Sequence, residues 1–271
     1  MSPEQPIACL SIGSSDSSGG AGIQGDVRAF ASVGCFASTV LVGVTAQNTQ
    51  GVLRRFEIPL GVVAEQLDAV LGDLPVRAIK IGTTWSPKLM TFLAERLRDL
   101  RIPLVLDPVM VTAAGSKLGG DRSDVISVLV SGLLPLATVV TPNREEAKLL
   151  LGVTSDEIPT RELAEGLLRL GVRAVVVSSS EADGDEWYAD GSTSRAIEGV
   201  RYRVDAEHGV GCAHSAILAG LLGRGWRLYD ALLESRRRAA AGVKGGLVHL
   251  GGGRHPVDVL GLHNLIPRSA P

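Results

Sequence analysis

Residues 7–26 read IACLSIGSSDSSGGAGIQGD, and this stretch decides the fold. Residues 7–12 are mostly apolar and predict a strand buried on both faces, as strands of parallel sheets are. A loop rich in Gly and Ser follows. A helix begins near Ile23, because apolar residues recur there at helical spacing before Gly34. The stretch therefore predicts a strand–loop–helix unit with its loop at the carboxyl end of the strand.

Similar units recur along the chain. Short apolar runs alternate with amphipathic stretches, which indicates an α/β fold with a doubly wound, mostly parallel sheet and helices on both faces. A polar, turn-rich segment further along predicts a hairpin with strands at 186–189 and 194–197. The other predicted strands are residues 7–12, 36–43, 78–81, 104–106, 138–140 and 174–177.

The composition narrows the class of protein. The chain has 271 residues, of which 45% are hydrophobic and 21% charged, so it can form a substantial core. No stretch has the composition of a linker, and we expect one domain over residues 1–271. The net charge of -2 provides no basic field for nucleic acid. Three widely spaced cysteines and the lack of an apolar run of about 18 residues favour a cytoplasmic protein without a membrane span.

The loop at residues 13–26 is the first candidate binding site. Small residues such as Gly13 and Gly22 allow a ligand to approach the backbone, and a helix N-terminus offers free N–H groups. The string Gly20-x-Gly22-x-x-Gly25 matches a dinucleotide fingerprint, but its glycines come well after the predicted strand, and no acidic residue follows about 20 positions on at a strand end. Asp26 is either a surface acid favoured by the helix dipole or a carboxylate that binds substrate.

A glycine turn at residues 209–212 is the second candidate site. Its backbone N–H groups, with Gly209 and Gly211 at the turn, form a pattern typical of a nest for a phosphoryl group. Cys212 would lie at a helix N-terminus, where the pKa of a thiol can be lowered. A structural turn with a buried cysteine explains the pattern equally well. His208 and His214 flank Cys212, but no third group that would complete a hydrolytic triad is evident.

Acidic residues follow two further predicted strands. Asp107 comes after residues 104–106, where a carboxylate is placed for a ligand or a hydrated Mg²⁺. Residues 141–146 come after residues 138–140, where Thr141 or Asn143 can cap the next helix with Glu145 or Glu146 in its first turn. Two acidic sites at successive strand ends also fit a shared magnesium–nucleotide edge, with Asn143 and Glu146 as candidates beside Asp107. No Gly-x-x-x-x-Gly-Lys-[Ser/Thr] motif occurs, which excludes a P-loop NTPase.

Together these segments resemble the hydroxymethylpyrimidine/phosphomethylpyrimidine kinases over roughly residues 7–258. The most specific motifs are the run at 15–24 and Asp-Pro-Val-Met at 107–110, supported by residues 45–49, 80–82, 141–147 and 209–212. The resemblance implies a ribokinase-like three-layer αβα sandwich with a mostly parallel central sheet. It also implies ATP, Mg²⁺, a homodimer and two successive phosphorylations of a small pyrimidine in thiamine biosynthesis.

The resemblance also assigns roles to individual residues. It implies that Asp26 and Gln47 hold the aminopyrimidine edge and that Val109 lines the pocket. On the phosphate side it implies an anion hole at Gly209 and Gly211, nucleotide contacts at Val210 and Asn143, metal binding by Asp107 and Glu146, and a catalytic base at Cys212.

The sequence departs from the family pattern mainly on the phosphate side. Val210 replaces a usual Thr, residues 178–181 replace Lys-Gly-Gly-His, Thr83 replaces Met, and Lys117 is displaced from its usual place. Two alternatives therefore stay open: a vitamin B6 kinase of the same fold, and a non-catalytic protein that binds the pyrimidine. The intact pair of Asp26 and Gln47 favours a pyrimidine over pyridoxal.

Overall fold

A computed structural model describes residues 6–84, 86–110, 122–178, 186–198, 202 and 206–265. Lys117 and residues 179–181 lie outside these ranges, as does the first of the two Asp-Gly turns of the predicted hairpin.

The described residues form nine strands in one continuous sheet. In chain order they are β1 Ile7–Asp16, β2 Cys35–Asn48, β3 Gly51–Glu57, β4 Val76–Ile81, β5 Leu104–Leu106, β6 Val139–Val140, β7 Ala174–Val177, β8 Glu186–Asp190 and β9 Ser194–Ile197.

Eight α-helices connect or flank these strands. They are α1 Gly22–Ser32, α2 Leu60–Asp73, α3 Pro87–Leu97, α4 Arg122–Val128, α5 Arg144–Leu151, α6 Thr160–Leu168, α7 Val210–Gly223 and α8 Leu228–Lys244. A π-helical turn, Leu129–Leu133, and a 3-10 turn, Leu134–Leu136, follow α4, and a last 3-10 turn is Leu262–Asn264. Within the described ranges, no helix is both long and apolar enough to cross a bilayer.

The sheet is parallel at its centre and antiparallel at its edges. Its order is β3-β2-β1-β4-β5-β6-β7-β8-β9, and the six central strands run parallel. β3, β8 and β9 each run antiparallel to the strand before them. The predicted mostly parallel αβα sandwich is thereby confirmed.

Alternating side chains divide the core between the two faces of the sheet. In β4, Ile79 and Ile81 pack in one cluster with residues of α2 to α6, whereas Ala78 packs in a second cluster with α1, α7 and α8. This period of two is what a strand buried on both faces requires. It leaves Lys80, which is 1% exposed, on the same side as α1 and α7.

The bounds of β5, β7 and β9 match the predictions, whereas β1, β2, β4 and β8 are longer than predicted and β6 is one residue shorter. β1 continues to Asp16 because residues 14–16 pair with residues 43–45 of β2 after a register shift at Gly13. The loop therefore begins at Ser17, and Gly13 lies within the strand. The sequence did not indicate β3, whose Leu53 and Phe56 are exposed and show no buried face.

Candidate functional site

Asp16, the last residue of β1, organises the loop that leads into α1. Its carboxylate accepts hydrogen bonds from the Ser18 N–H at 2.8 Å, the Ser18 hydroxyl at 2.7 Å and the Ala21 N–H at 2.9 Å. Gly22 then opens the helix with a φ of 56°, and a Cβ on it would lie 2.4 Å from the carbonyl oxygen of Ser14. Only glycine fits this turn, because a side chain would collide with the backbone of β1.

Gln47, near the end of β2, lies beside this loop. The Ser17 hydroxyl donates to the Gln47 carbonyl at 2.6 Å and accepts from its N–H at 2.7 Å. The Gln47 side-chain oxygen accepts from the Thr45 hydroxyl at 3.2 Å. Its amide N–H₂ makes no bond to the described residues and is available to a ligand at the half-buried mouth of the loop.

A buried ion pair lies beneath the loop. The Lys80 ammonium group donates to both carboxylate oxygens of Asp26 at 2.9 Å, and the Ser11 hydroxyl donates to Oδ2 at 2.6 Å. Asp26 is 1% exposed, so the surface-acid interpretation is wrong. Because its carboxylate is largely engaged by Lys80 and Ser11, Asp26 retains one free lone pair, on Oδ1, for a substrate donor.

The same lysine links the loop to the phosphate side. Its Nζ lies 3.9 Å from Asp107 Oδ2, which also accepts a hydrogen bond of 2.9 Å from the Ser215 hydroxyl of α7. Burial acts to lower the pKa of Lys80, but electrostatic interactions with acidic neighbours, Asp26 first, outweigh it and raise that pKa above its usual value. Lys80 is therefore a permanent cation among acidic groups. Burial raises the pKa of Asp107, against the opposing charge of Lys80.

The glycine turn forms the N-terminus of α7. Gly209 is the N-cap residue with a φ of 83°. The N–H of Val210 donates to the Glu207 carbonyl at 3.1 Å, so it is not available to an anion, and the Val210 side chain packs against Ala213 and its apolar neighbours. Among the described residues, the N–H groups of Gly211 and Cys212 have no acceptor. Of the backbone N–H groups predicted at residues 209–212 to bind a phosphoryl group, that of Val210 is therefore excluded, whereas those of Gly211 and Cys212 remain available.

Cys212 lies in the first turn of α7, but its thiol is not acidified. Burial raises the pKa of the Cys212 thiol to about 12, and Asp107 and Asp26 add to this effect. The charge of Lys80 and a hydrogen bond from the Gly22 N–H act in the opposite direction without overcoming it. The position of Cys212 at a helix N-terminus therefore does not lower the pKa of its thiol in the protein without substrate.

Neither flanking histidine pairs with Cys212. His208 Nε2 lies 3.1 Å from Asp16 Oδ2, and His214 Nε2 is buried without a partner in the described part of the chain. A hydrolytic Cys–His pair is not formed here.

The phosphomethylpyrimidine kinase family model matches residues 16–258. The chain belongs to this family. The hydroxymethylpyrimidine/phosphomethylpyrimidine kinase of Rhizobium meliloti is 37% identical over 254 residues, which cover 92% of this chain and 95% of that protein. The predicted family resemblance is confirmed, and membership makes the chain a small-molecule kinase.

Solved structures agree on the fold. Phosphomethylpyrimidine kinase from Clostridium difficile is 30% identical with a TM-score of 0.73, and 85% of this chain and 96% of that chain are covered. An ADP complex of pyridoxal kinase from Bacillus subtilis is 26% identical with a TM-score of 0.86, and coverage is 95% of this chain and 99% of that chain.

In this phosphomethylpyrimidine kinase family member, Asn143 and Glu146 form the capping box of α5. The Asn143 side chain accepts from the Glu146 N–H at 2.9 Å, and Glu146 accepts from the Asn143 N–H at 3.0 Å. The capping interpretation is confirmed, and it does not exclude a second role. Burial and the nearby charge of Asp107 raise the pKa of Glu146 to about 8, because the hydrogen bonds from Asn143 and Met110 are too weak to compensate.

These residues fit a magnesium–phosphate edge. Asp107 and Glu146 are two buried carboxylates close enough to repel each other, and the hydroxyl of Thr141 is buried nearby in sequence without a partner. No group of three or more metal-ligating side chains occurs within the described ranges. Mg²⁺ is commonly held by one or two carboxylates together with water and substrate phosphates, so two carboxylates suffice. Val109 follows Asp107 by two residues, and its side chain is half-buried.

The structure joins most of the predicted residues through side chains that the sequence interpretation passed over. Lys80 connects Asp26 with Asp107 and acts on Cys212, while Asp16 and His208 connect the loop with the turn. The sequence contained one signal for Lys80. It is the only charged residue in the apolar strand predicted at residues 78–81, and a buried charge of this kind requires a partner of opposite charge. The partnerships of Ser11, Asp16 and Ser215 had no such signal, because polar residues at strand ends and in helices are common.

Proposed function

We propose that the chain transfers the γ-phosphoryl group of ATP, with Mg²⁺, to 4-amino-5-hydroxymethyl-2-methylpyrimidine and then to the resulting monophosphate, in thiamine biosynthesis. Membership in the phosphomethylpyrimidine kinase family carries this proposal. The geometry supports it because a loop suited to a small polar ring and a turn suited to a phosphoryl group meet at Lys80 and Cys212.

The acceptor is held by the loop side. The free amide of Gln47 and the remaining lone pair of Asp26 provide a donor and an acceptor for the aminopyrimidine edge. Val109 supplies apolar contact with the ring. This arrangement directs the hydroxymethyl group toward the N-terminus of α7.

Transfer takes place at the turn. The hydroxymethyl oxygen bonds to the γ-phosphorus as the bond to the bridging oxygen breaks, and the alcohol gives up its proton. The N–H groups of Gly211 and Cys212 donate to the transferred oxygens, which stabilises charge where it develops. When bound, Mg²⁺ at Asp107 and Glu146 would neutralise phosphate charge.

Cys212 is placed to receive the proton only after losing its own. Lys80 and the Gly22 N–H are the groups that stabilise its thiolate. In a loose transition state the alcohol keeps its proton until late, so this proton passes to Cys212 after the thiol has released its own proton to solvent.

The test is direct. Purified protein is incubated with Mg–ATP and the hydroxymethylpyrimidine, then with its monophosphate, and the products are followed by mass spectrometry. Conversion of both supports the full proposal, and conversion of the alcohol alone reduces it to a one-step kinase. Pyrimidine binding in calorimetry without any conversion would instead identify a non-catalytic binding protein.

Pyridoxal is the second candidate substrate. The TM-score of 0.86 to a pyridoxal kinase favours it, and its hydroxymethyl group is borne on a similar ring. Initial rates with pyridoxal and the pyrimidine at equal concentration decide between them, and a higher rate with pyridoxal would overturn the pyrimidine proposal.

We also propose a single domain, a homodimer and a cytoplasmic location. The exposed side chains of Leu53 and Phe56 on β3, 80% and 60% exposed, support a second copy as partner. Light scattering measures the mass in solution, and cell fractionation measures the location.

A further inference from the structure

The loop after β1 and the turn before α7 are joined directly by Asp16 and His208. Nε2 of His208 lies 3.1 Å from Oδ2 of Asp16, and the two side chains are 8% and 4% exposed. The two residues are 192 positions apart in the sequence. This contact therefore connects the acceptor side of the site with the phosphate side.

Two glycines bring the backbones of the loop and turn into contact. A Cβ on Gly20 would lie 2.1 Å from Cδ2 of His208, so the imidazole ring packs directly on this glycine. A Cβ on Gly209 would lie 2.1 Å from the carbonyl oxygen of Gly20. No side chain fits at Gly20 or at Gly209. The distance between loop and turn is therefore set by the ring of His208 and the carboxylate of Asp16.

Hydrogen bonds on the loop side hold Asp16, and separate hydrogen bonds on the turn side hold His208. Burial acts to raise the pKa of Asp16, but hydrogen bonds from His208, Ser18 and Ala21 lower it to about 2, so the carboxylate is ionised. The backbone N–H of His208 donates to the His255 carbonyl at 3.1 Å, and the backbone carbonyl of His208 accepts from the Val257 N–H at 3.2 Å. The Asp16 side chain is thus held by its own loop, and the backbone of His208 is held by residues 255 and 257.

We propose that Asp16 and His208 are a positioning pair, which sets the distance between the acceptor-binding loop and the phosphoryl-binding turn. The inference rests on the proposed function for its kinetic consequence. In-line transfer requires the attacking oxygen and the phosphorus within about 3–3.5 Å, and an error of about 1 Å can cost on the order of 100-fold in rate. Neither residue needs to touch the reacting atoms to have this effect.

The experiment compares His208→Leu, which removes the bond, with His208→Gln, whose side-chain amide can still donate to Asp16. We expect His208→Leu to lower kcat roughly 100-fold with little change in the KM for the pyrimidine. His208→Gln should recover most of this loss. Arg161→Leu is the matched control, because the exposed Arg161 forms a separate pair with Glu165 within α6, at 2.7 Å. It should keep the wild-type kcat.

A second measurement does not depend on activity. Hydrogen exchange is followed in peptides covering residues 17–22 and 207–213, where the N–H groups of Ala21 and Val210 are bonded. We expect faster exchange in both segments in His208→Leu, and wild-type exchange in His208→Gln and Arg161→Leu.

The possible outcomes separate the two proposals. An inactive wild-type protein refutes the proposed function, whereas the exchange data still test the pair. Unchanged exchange in both segments, or an unchanged kcat in folded His208→Leu, overturns the positioning pair. Equal losses in His208→Gln and His208→Leu that follow their melting temperatures also overturn it, since they would show a structural role alone.

Discussion

The ammonium group of Lys80 lies 2.9 Å from both carboxylate oxygens of Asp26, and both side chains are 1% exposed. Lys80 also lies 3.9 Å from Asp107, so one cation serves two buried carboxylates. Removing one partner of a buried ion pair is far more costly than removing both, because it leaves an uncompensated charge in a poorly polarisable interior.

Replacing Lys80 alone should therefore destabilise the protein strongly. We expect Lys80→Met to lower the free energy of unfolding by about 3–5 kcal/mol. The double variant Lys80→Met with Asp26→Asn removes one buried charge of each sign and should be the more stable of the two. Urea unfolding monitored by circular dichroism measures both. A double variant as unstable as Lys80→Met would show that charge compensation is not the reason.

Cys212 should react slowly with alkylating agents in the native protein. Since burial raises its pKa to about 12, from an ordinary 9.0, its thiolate fraction near neutral pH falls on the order of a thousandfold. We expect iodoacetamide at pH 7.5 to label it far more slowly than free cysteine, as measured by intact mass. Cys9 and Cys35 are buried, and Cys212→Ser identifies any label that they contribute. Labelling at the rate of free cysteine would contradict the raised pKa.

Gly22 should tolerate no side chain. Its φ of 56° and the 2.4 Å approach of a Cβ to Ser14 predict that Gly22→Ala lowers the free energy of unfolding by about 1–3 kcal/mol. It should also raise the KM for the acceptor, because the loop is displaced. Gly72→Ala is the control: Gly72 is exposed in α2 with nothing within 4 Å of its Cβ position. That variant should gain about 0.5–1 kcal/mol. Equal effects at the two glycines would contradict the clash.

Glu146 should make the protein less stable as the pH rises. The folded state holds its proton up to about pH 8, whereas the unfolded chain releases it near 4.5. Between these values the unfolded state binds fewer protons, so the free energy of unfolding falls with rising pH and the loss is complete above about pH 8.

Glu146→Gln removes this contribution. Its stability relative to wild type should therefore increase from pH 5 to about pH 8, as measured by urea unfolding at each pH. Glu145→Gln, an exposed neighbour paired with Lys148, should show no such trend. A difference between Glu146→Gln and wild type that does not vary with pH would refute the raised pKa.

The sequence predicted the bounds of strands best where both faces of the strand are buried and its residues must therefore be apolar. β5 and β7 were predicted to the residue because each is an uninterrupted apolar run. β3 was missed because its exposed Leu53 and Phe56 give no buried face to detect. The capping box of Asn143 and Glu146 is a local pattern, and a local pattern can be read from sequence.

The site itself depends on contacts that local patterns do not encode. The roles of Cys212 and Asp107 came from a family resemblance, but the pKa of the thiol depends on burial by remote residues. The link from Lys80 to Asp26 spans 54 positions, and that from Asp16 to His208 spans 192. Side chains so far apart in sequence are brought together only by the order of the strands.

The contact between Asp16 and His208 also bears on how the protein is made. Gly253 donates to the Thr49 hydroxyl at 3.1 Å across 204 positions, so the segment after α8 closes over the turn between β2 and β3. On the ribosome, neither contact can form until about 200 further residues have been synthesised after the first partner. Early strands such as β1 and β2 can pair while translation continues, but the site stays incomplete until α7 has emerged. Contacts of such high sequence separation are slow to form. Nascent chains should therefore acquire affinity for ligand last, which makes ligand binding a late marker of completed folding.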